Sequence, residues 1–228
     1  MSIFGAASKG SGGHISSAVT QAASAVNTSV GDLIVACVVW NATTVGTASV
    51  SDSAGNSFTS SGGITSQSHS RQQFFYCLPA ANASASNVVT ATISGSGGMA
   101  FMAVYTWSIP LSGSCVLDVE ASGASSGTSN APTTASFNTT GSDEIVLVMA
   151  GNDFSGISYT VGSGYTLDSS GFGSGLAGSE HQLFTSAQSG IVANFTQSGN
   201  TDWTIRAIAF KAGTAGGSSR QPVVIIME

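Results

Sequence analysis

Charge is what this chain lacks most. Lysine and arginine together number five, aspartate and glutamate eleven, and only 7% of the 228 residues are charged, against about 25% in an ordinary globular protein. With so few cations there is no basic stripe along the sequence, which argues against nucleic acid as a partner. Long hydrophobic runs are also missing. None approaches the ~20 residues of a helical membrane span, so no membrane partner is expected. The first residues carry neither a basic segment nor an apolar stretch of about 7–15 residues, so they do not read as an export signal. Cysteine is sparse and odd in number. Cys37, Cys77 and Cys115 match no metal or redox spacing and read as small buried hydrophobes, with a disulfide between Cys37 and Cys77 left open.

Catalytic patterns are equally thin. His14, His69 and His181 are far apart and form no HxH or HExxH spacing; His181 reads as an exposed residue at a strand start. Gly123, Ser125 and Gly127 formally satisfy GxSxG, but a nucleophile elbow needs a strand before it and a helix after it. The motif reads instead as part of a Ser/Gly loop. Asp118 and Glu120 would share a strand face, yet a paired-carboxylate hydrolase needs a second acid opposite, and the sequence names none. Asp52 with Asn56 has oxygen ligands suited to Ca²⁺, although their role in a turn already explains them. The expectation is therefore no enzyme, no catalytic residues, no metal and no cofactor.

What is present is apolar residue in ordinary amount (42%), abundant glycine (29 residues), and a great deal of Ser, Thr and Ala. Such a chain can fold around a substantial core and cover it with hydroxyls and amides rather than ions. That surface suits an exterior scaffold. An exterior surface without an export signal is reconciled by a virus particle, whose proteins are made in the host cytoplasm and released by lysis.

Residues 32–40 organise the chain. Leu33, Ile34, Val35, Ala36, Cys37, Val38, Val39 and Trp40 form an unbroken apolar run bounded by turn residues, the pattern of a central strand covered on both faces. Residues 138–152 repeat residues 27–41 at a constant offset, with Asp143 standing for Asp32 and Asn152 for Asn41. Further strands are expected at 72–78, 87–94 and 99–107, with counterparts at 181–185, 191–196 and 203–210. Residues 45–60 read as a hairpin turned by Asp52, Gly55 and Asn56, and residues 18–25 as an edge strand.

This ordered recurrence predicts two structural repeats, at about 15–110 and 116–212. The fold expected is all-β: a jelly-roll-like antiparallel β-sandwich in which the two repeats interleave across two sheets. A flexible N-terminal arm (1–14) precedes it. A Gly/Ser linker and an apolar tail (213–228) follow. The tail residues Pro222, Val223, Val224, Ile225, Ile226 and Met227 have strong β propensity and would aggregate if left unpaired. They are expected to dock as a strand on this or a neighbouring subunit, as are Ile3 and Phe4 of the arm.

Three segments together carry a resemblance: Gly31 to Val35 with Trp40, the stretch from Val50 through Asp52 and Gly55 to Phe58, and Gly162, Gly164, Tyr165 and Leu167. Over roughly residues 25–212 the chain resembles a loosely defined group of β-sandwich domains in phage structural proteins and bacterial surface proteins. The resemblance implies a jelly-roll-like sandwich used for display, adhesion or particle decoration, and brings no catalytic residues with it. The functional expectation is a non-enzymatic virion structural protein, a phage capsid decoration or cement protein acting through contacts with other capsid or tail proteins and forming a homo-oligomer. The alternative is a tail- or surface-associated module that binds a receptor or carbohydrate through Trp203 and Tyr165.

Overall fold

The computed structural model describes residues 2–15, 18–41, 46–94 and 101–213. Among them there is no helix, and none is therefore long and apolar enough to cross a membrane. The strands in chain order are β1 (Ser8–His14), β2 (Thr20–Ala22), β3 (Val26–Thr28), β4 (Leu33–Asn41), β5 (Ala48–Asp52), β6 (Thr59–Ser66), β7 (Ser70–Cys77), β8 (Ser84–Asn87), β9 (Val89–Ile93) and β10 (Met102–Ile109). A short crossover leads to β11 (Cys115–Ser129), β12 (Glu144–Asn152), β13 (Tyr159–Thr160), β14 (Thr166–Phe172), β15 (Ala177–Phe184), β16 (Thr196–Gln197) and β17 (Thr201–Ala212).

The apolar run at 33–40 is β4, and every residue in it is buried. Side chains alternate faces along a strand, so full burial requires cover on both sides. Leu33, Val35, Cys37 and Val39 enter a central core that also holds Ile145, Leu147, Met149 and Phe210. Ile34, Ala36, Val38 and Trp40 enter an outer core with Val89, Ala91 and Ile93. β12 repeats the arrangement: Ile145, Leu147 and Met149 face the centre, while Val146, Val148 and Ala150 meet Ile157, Tyr159 and Phe195 in a second outer core. The molecule is thus an antiparallel β-sandwich with two large sheets face to face, each capped on its far side by smaller strands.

One large sheet has the order β1-β10-β4-β7-β6 and the other β11-β17-β12-β15-β14. Each draws all its strands from one half of the chain. The interleaving expected from the sequence is therefore corrected: the cover that β4 and β12 need comes from stacking whole sheets, not from mixing strands. Within the first half the chain pairs back on itself, β1 with β10, β2 with β9, β3 with β8 and β4 with β7.

Two further expectations change. Residues 8–14 are no arm: β1 is an edge strand paired along its length with β10. Its glycines permit this, because a Cβ at Gly10 or Gly12 would fall within about 2.1 Å of the Ser24 or Ala22 carbonyl oxygen. The expected hairpin at 45–60 also splits. Its turn forms, with the Asn56 backbone N–H donating to Asp52 Oδ1 (2.7 Å) and the Asn56 amide to Asp52 Oδ2 (2.8 Å). However, β5 pairs with β9 in the small sheet while β6 pairs with β7 in the large one. The turn passes the chain between layers.

Candidate functional site

The two halves meet at one end of the sandwich around the crossover between β10 and β11. The first residues are tied there. Ser2 Oγ and the Ile3 backbone N–H donate to the Asp143 carboxylate (2.7 and 2.6 Å), Gly5 N–H donates to Pro110 O (2.8 Å), and Ser112 N–H donates to Ile3 O (3.0 Å). Phe4 is 5% exposed in the central core, and Ile3 packs against it. The two residues expected to dock on a partner are thus engaged within their own chain. Beside them lies a groove of about 550 Å³, walled by Tyr76, Leu78, Pro79, Leu111, Val116 and Leu117. The last described residue, Gly213, reaches its rim, where its N–H donates to the carbonyl of Ser114, a lining residue. Pro222, Val223, Val224, Ile225, Ile226 and Met227, the expected docking tail, lie outside the described residues.

Trp203 and Tyr165, the expected ligand surface, do not form one. Trp203 is 5% exposed in the second outer core, its indole N–H donates to Ser129 Oγ (3.0 Å), and its ring lies against Gly127, where a Cβ would come within 2.7 Å. Tyr165 is half-buried against the same core, and burial raises its phenol above the ordinary tyrosine range. The segment with Gly123, Ser125 and Gly127 is part of β11, paired with β17. Gly127 is small because Trp203 lies over it and Gly123 because Ala135 and Phe137 crowd it, and among the described residues no helix follows.

A second cleft, of about 390 Å³, opens between the halves, with Phe4, Lys9, Trp107, Leu147 and His181 in its wall. Its polar residues converge on Asp168 of β14, whose side chain is fully buried. His181 Nδ1 lies 2.8 Å from Asp168 Oδ1, Trp107 Nε1–H donates to Oδ2 (2.8 Å), and Lys9 forms an ion pair with it. Burial opposes the charge on Asp168, but bonds from His181, Lys9 and Trp107 outweigh it and hold the carboxyl below the usual carboxylate range. His181 is therefore a half-buried, anchored residue, not the exposed strand-start residue expected. A histidine oriented by a buried aspartate is half of an acyl-transfer site, but the residues lining this cleft carry no hydroxyl or thiol. The geometry suits fastening β1 to the second half.

The acid that Asp118 lacked in the sequence is Glu144 of β12. Lys211 Nζ sits 2.7 Å from Asp118 Oδ1, Thr140 N–H donates to Asp118 Oδ2 (2.7 Å), and Gly141 N–H donates to Glu144. Burial, reinforced by the nearby Asp118 charge, raises the Glu144 carboxyl; Glu120 is exposed. Glu180 is also fully buried. Burial and then the charge of Asp168 push its carboxyl up to about 8, against a bond from Gly162 N–H to Oε2 (3.0 Å).

Cys37 and Cys77 are free. They cannot pair, because Cys37 faces the central core and Cys77 the outer one. Among the described residues a further cluster lies at the far end of β17. His69, Asp153 and Asp202 present one ligand atom each, all within 4.8 Å of one another. Local spacing could not have shown it, since its members come from the β6–β7 turn, the residue after β12 and the start of β17. Set against family models and curated proteins, the chain matches no family and no relative.

Proposed function

We propose that the protein is a non-enzymatic virion structural protein, a phage capsid decoration or cement protein that works through subunit contacts. The observation that carries this reading is the position of Gly213, which delivers the start of the tail to the rim of an apolar groove. The groove has the concave, largely hydrocarbon lining that a short extended segment can fill. A tail of strong β propensity, tethered by a Gly/Ser linker, supplies such a segment to a neighbouring copy or another particle protein. The scarcity of charge supports an exterior, particle-bound setting, where solubility does not depend on ions.

The fold reading follows the same line. We propose that the chain is two structural repeats, each a small jelly roll. The support is positional: β1, β10, β4, β7 and β6 stand in their sheet where β11, β17, β12, β15 and β14 stand in theirs. In the first half, first pairs with last, second with next-to-last, and so inward, which is how a hairpin wraps into a jelly roll.

The experiment is light scattering coupled to size-exclusion chromatography on the full chain and on a version ending at Ala212. A defined oligomer that becomes a monomer on truncation supports assembly through the tail. The same monomer from both would overturn it. The alternative, a receptor- or carbohydrate-binding module, draws on Phe154, an aromatic 64% exposed next to Asp153. A glycan screen in which Phe154→Ala abolishes a saturable signal would favour that reading instead.

A further inference from the structure

The seam between the halves carries a second feature, at the end of β17 remote from Gly213. Asp202 is the second residue of β17 and Ala212 the last, so about 30 Å of strand separates this feature from the groove. His69 lies in the turn between β6 and β7, closed by a bond from Gln67 N–H to Ser70 O (2.8 Å). Asp153 directly follows β12, and Asp202 lies beside Thr128 of β11. One donor therefore comes from the first half and two from the second.

We propose that His69, Asp153 and Asp202 form a binding site for a divalent transition-metal ion, with Zn²⁺ as its representative, which clamps the two halves together. His69 Nδ1 stands 2.9 Å from Asp202 Oδ2 and 3.5 Å from Asp153 Oδ2. Ligands at about 2.0–2.1 Å from one tetrahedral ion are separated by about 3.3–3.4 Å, so the two distances bracket the edge such an ion requires. The donor set, one imidazole nitrogen and two carboxylate oxygens, suits zinc and its neighbours better than Ca²⁺ or Mg²⁺, which favour all-oxygen shells. The ion would take the place of the proton between His69 and Asp202 and neutralise both carboxylates.

The ligands are also held. Thr128 Oγ1–H donates to Asp202 Oδ1 and leaves Oδ2 toward His69, the kind of supporting bond that orients a metal-binding carboxylate. Asp153 is fixed through its neighbour Asn152. That fully buried side chain donates to Gly175 O (2.9 Å) and accepts from Phe154 N–H (2.6 Å). His69 is on the outside, its side chain 55% exposed, so water has access to complete the coordination shell.

The test is isothermal titration of Zn²⁺ into the full chain after dialysis against EDTA, with thermal melts in parallel. His69→Ala and Asp153→Asn are compared with Cys115→Ser, which controls for thiol binding, and circular dichroism verifies that each variant is folded. The expected result is one saturable site per chain, a melting temperature raised by Zn²⁺, and at least a tenfold loss of affinity in the His69 and Asp153 variants but not in the Cys115 variant. An absence of saturable binding, or binding that both site variants retain, overturns the proposal. So does a melting temperature lowered by the two site variants but indifferent to Zn²⁺, the signature of an ion pair only. None of these outcomes depends on whether the tail drives assembly.

Discussion

Gly151 of β12 lies so close to Val39 of β4 that a Cβ on the glycine would come within 2.5 Å of the valine's Cγ2. This contact joins the two large sheets across the central core, and a second lies where Gly13 approaches the backbone of Gly173. Glycine at 151 is thus a packing requirement set by a β-branched neighbour whose χ1 is restricted.

Gly151→Ala is expected to lower stability by about 1–3 kcal/mol through overpacking. Val39→Ala in the same background should recover part of the loss. Urea denaturation of both single variants and the double variant checks this. Strictly additive effects would show that the residues do not press on each other.

Glu180 makes stability depend on pH. In the unfolded chain a glutamate loses its proton near pH 4.3; in the folded chain burial holds it until about pH 8. Across that window the folded state binds the extra proton. The stabilising contribution is therefore complete below the lower value and lost as pH rises through the upper one. Glu180→Gln, which keeps the shape and drops the charge, should be more stable than the parent at pH 8.5, by up to about 5 kcal/mol, and should lose most of that advantage at pH 4.5. Thermal melts at the two pH values decide it; an equal difference at both would refute the assignment.

The thiols should be silent until the fold opens. Burial pushes Cys37 up to about 12, against a bond from Gln72, and burial with the Asp143 charge does the same to Cys115; Cys77 is raised as well. Since only the thiolate reacts, a disulfide reagent at pH 8 should find no fast-reacting cysteine in the native protein and three after denaturation. A rapid thiol in the native state would contradict the burial of the seam around Cys115.

Much of the fold was legible because burial on both faces writes an unmistakable pattern. The runs that became β4, β10, β12 and β17 stand out for that reason, and so does their order. The misreadings share a cause: local sequence reports local geometry, not the partner. The turn made by Asp52 and Asn56 was correctly read, yet nothing in it says that β5 and β6 enter different sheets. β1 and the 123–127 part of β11 read as an arm and a loop because their glycines and serines carry no apolar signal. At the glycines the small size is imposed by what crosses them: the Ala22 and Ser24 carbonyls at Gly12 and Gly10 of β1, and Trp203 at Gly127 and Ala135 with Phe137 at Gly123 of β11. Trp203 itself looked available because one indole in a polar stretch resembles a platform. The cluster of His69, Asp153 and Asp202 was illegible in principle, since it exists only where two halves of the chain are brought together.

The segregation of strands has a consequence for how copies could be arrayed. Because each large sheet is made by one half, the central core is equivalent to a dimer interface whose partners are fused end to end. The flat apolar face that such a unit would offer to another copy is already occupied. Contacts between molecules are left to the flanks, the outward small sheets and the ends, so assembly would proceed by lateral and terminal attachment, like tiles joined at their borders.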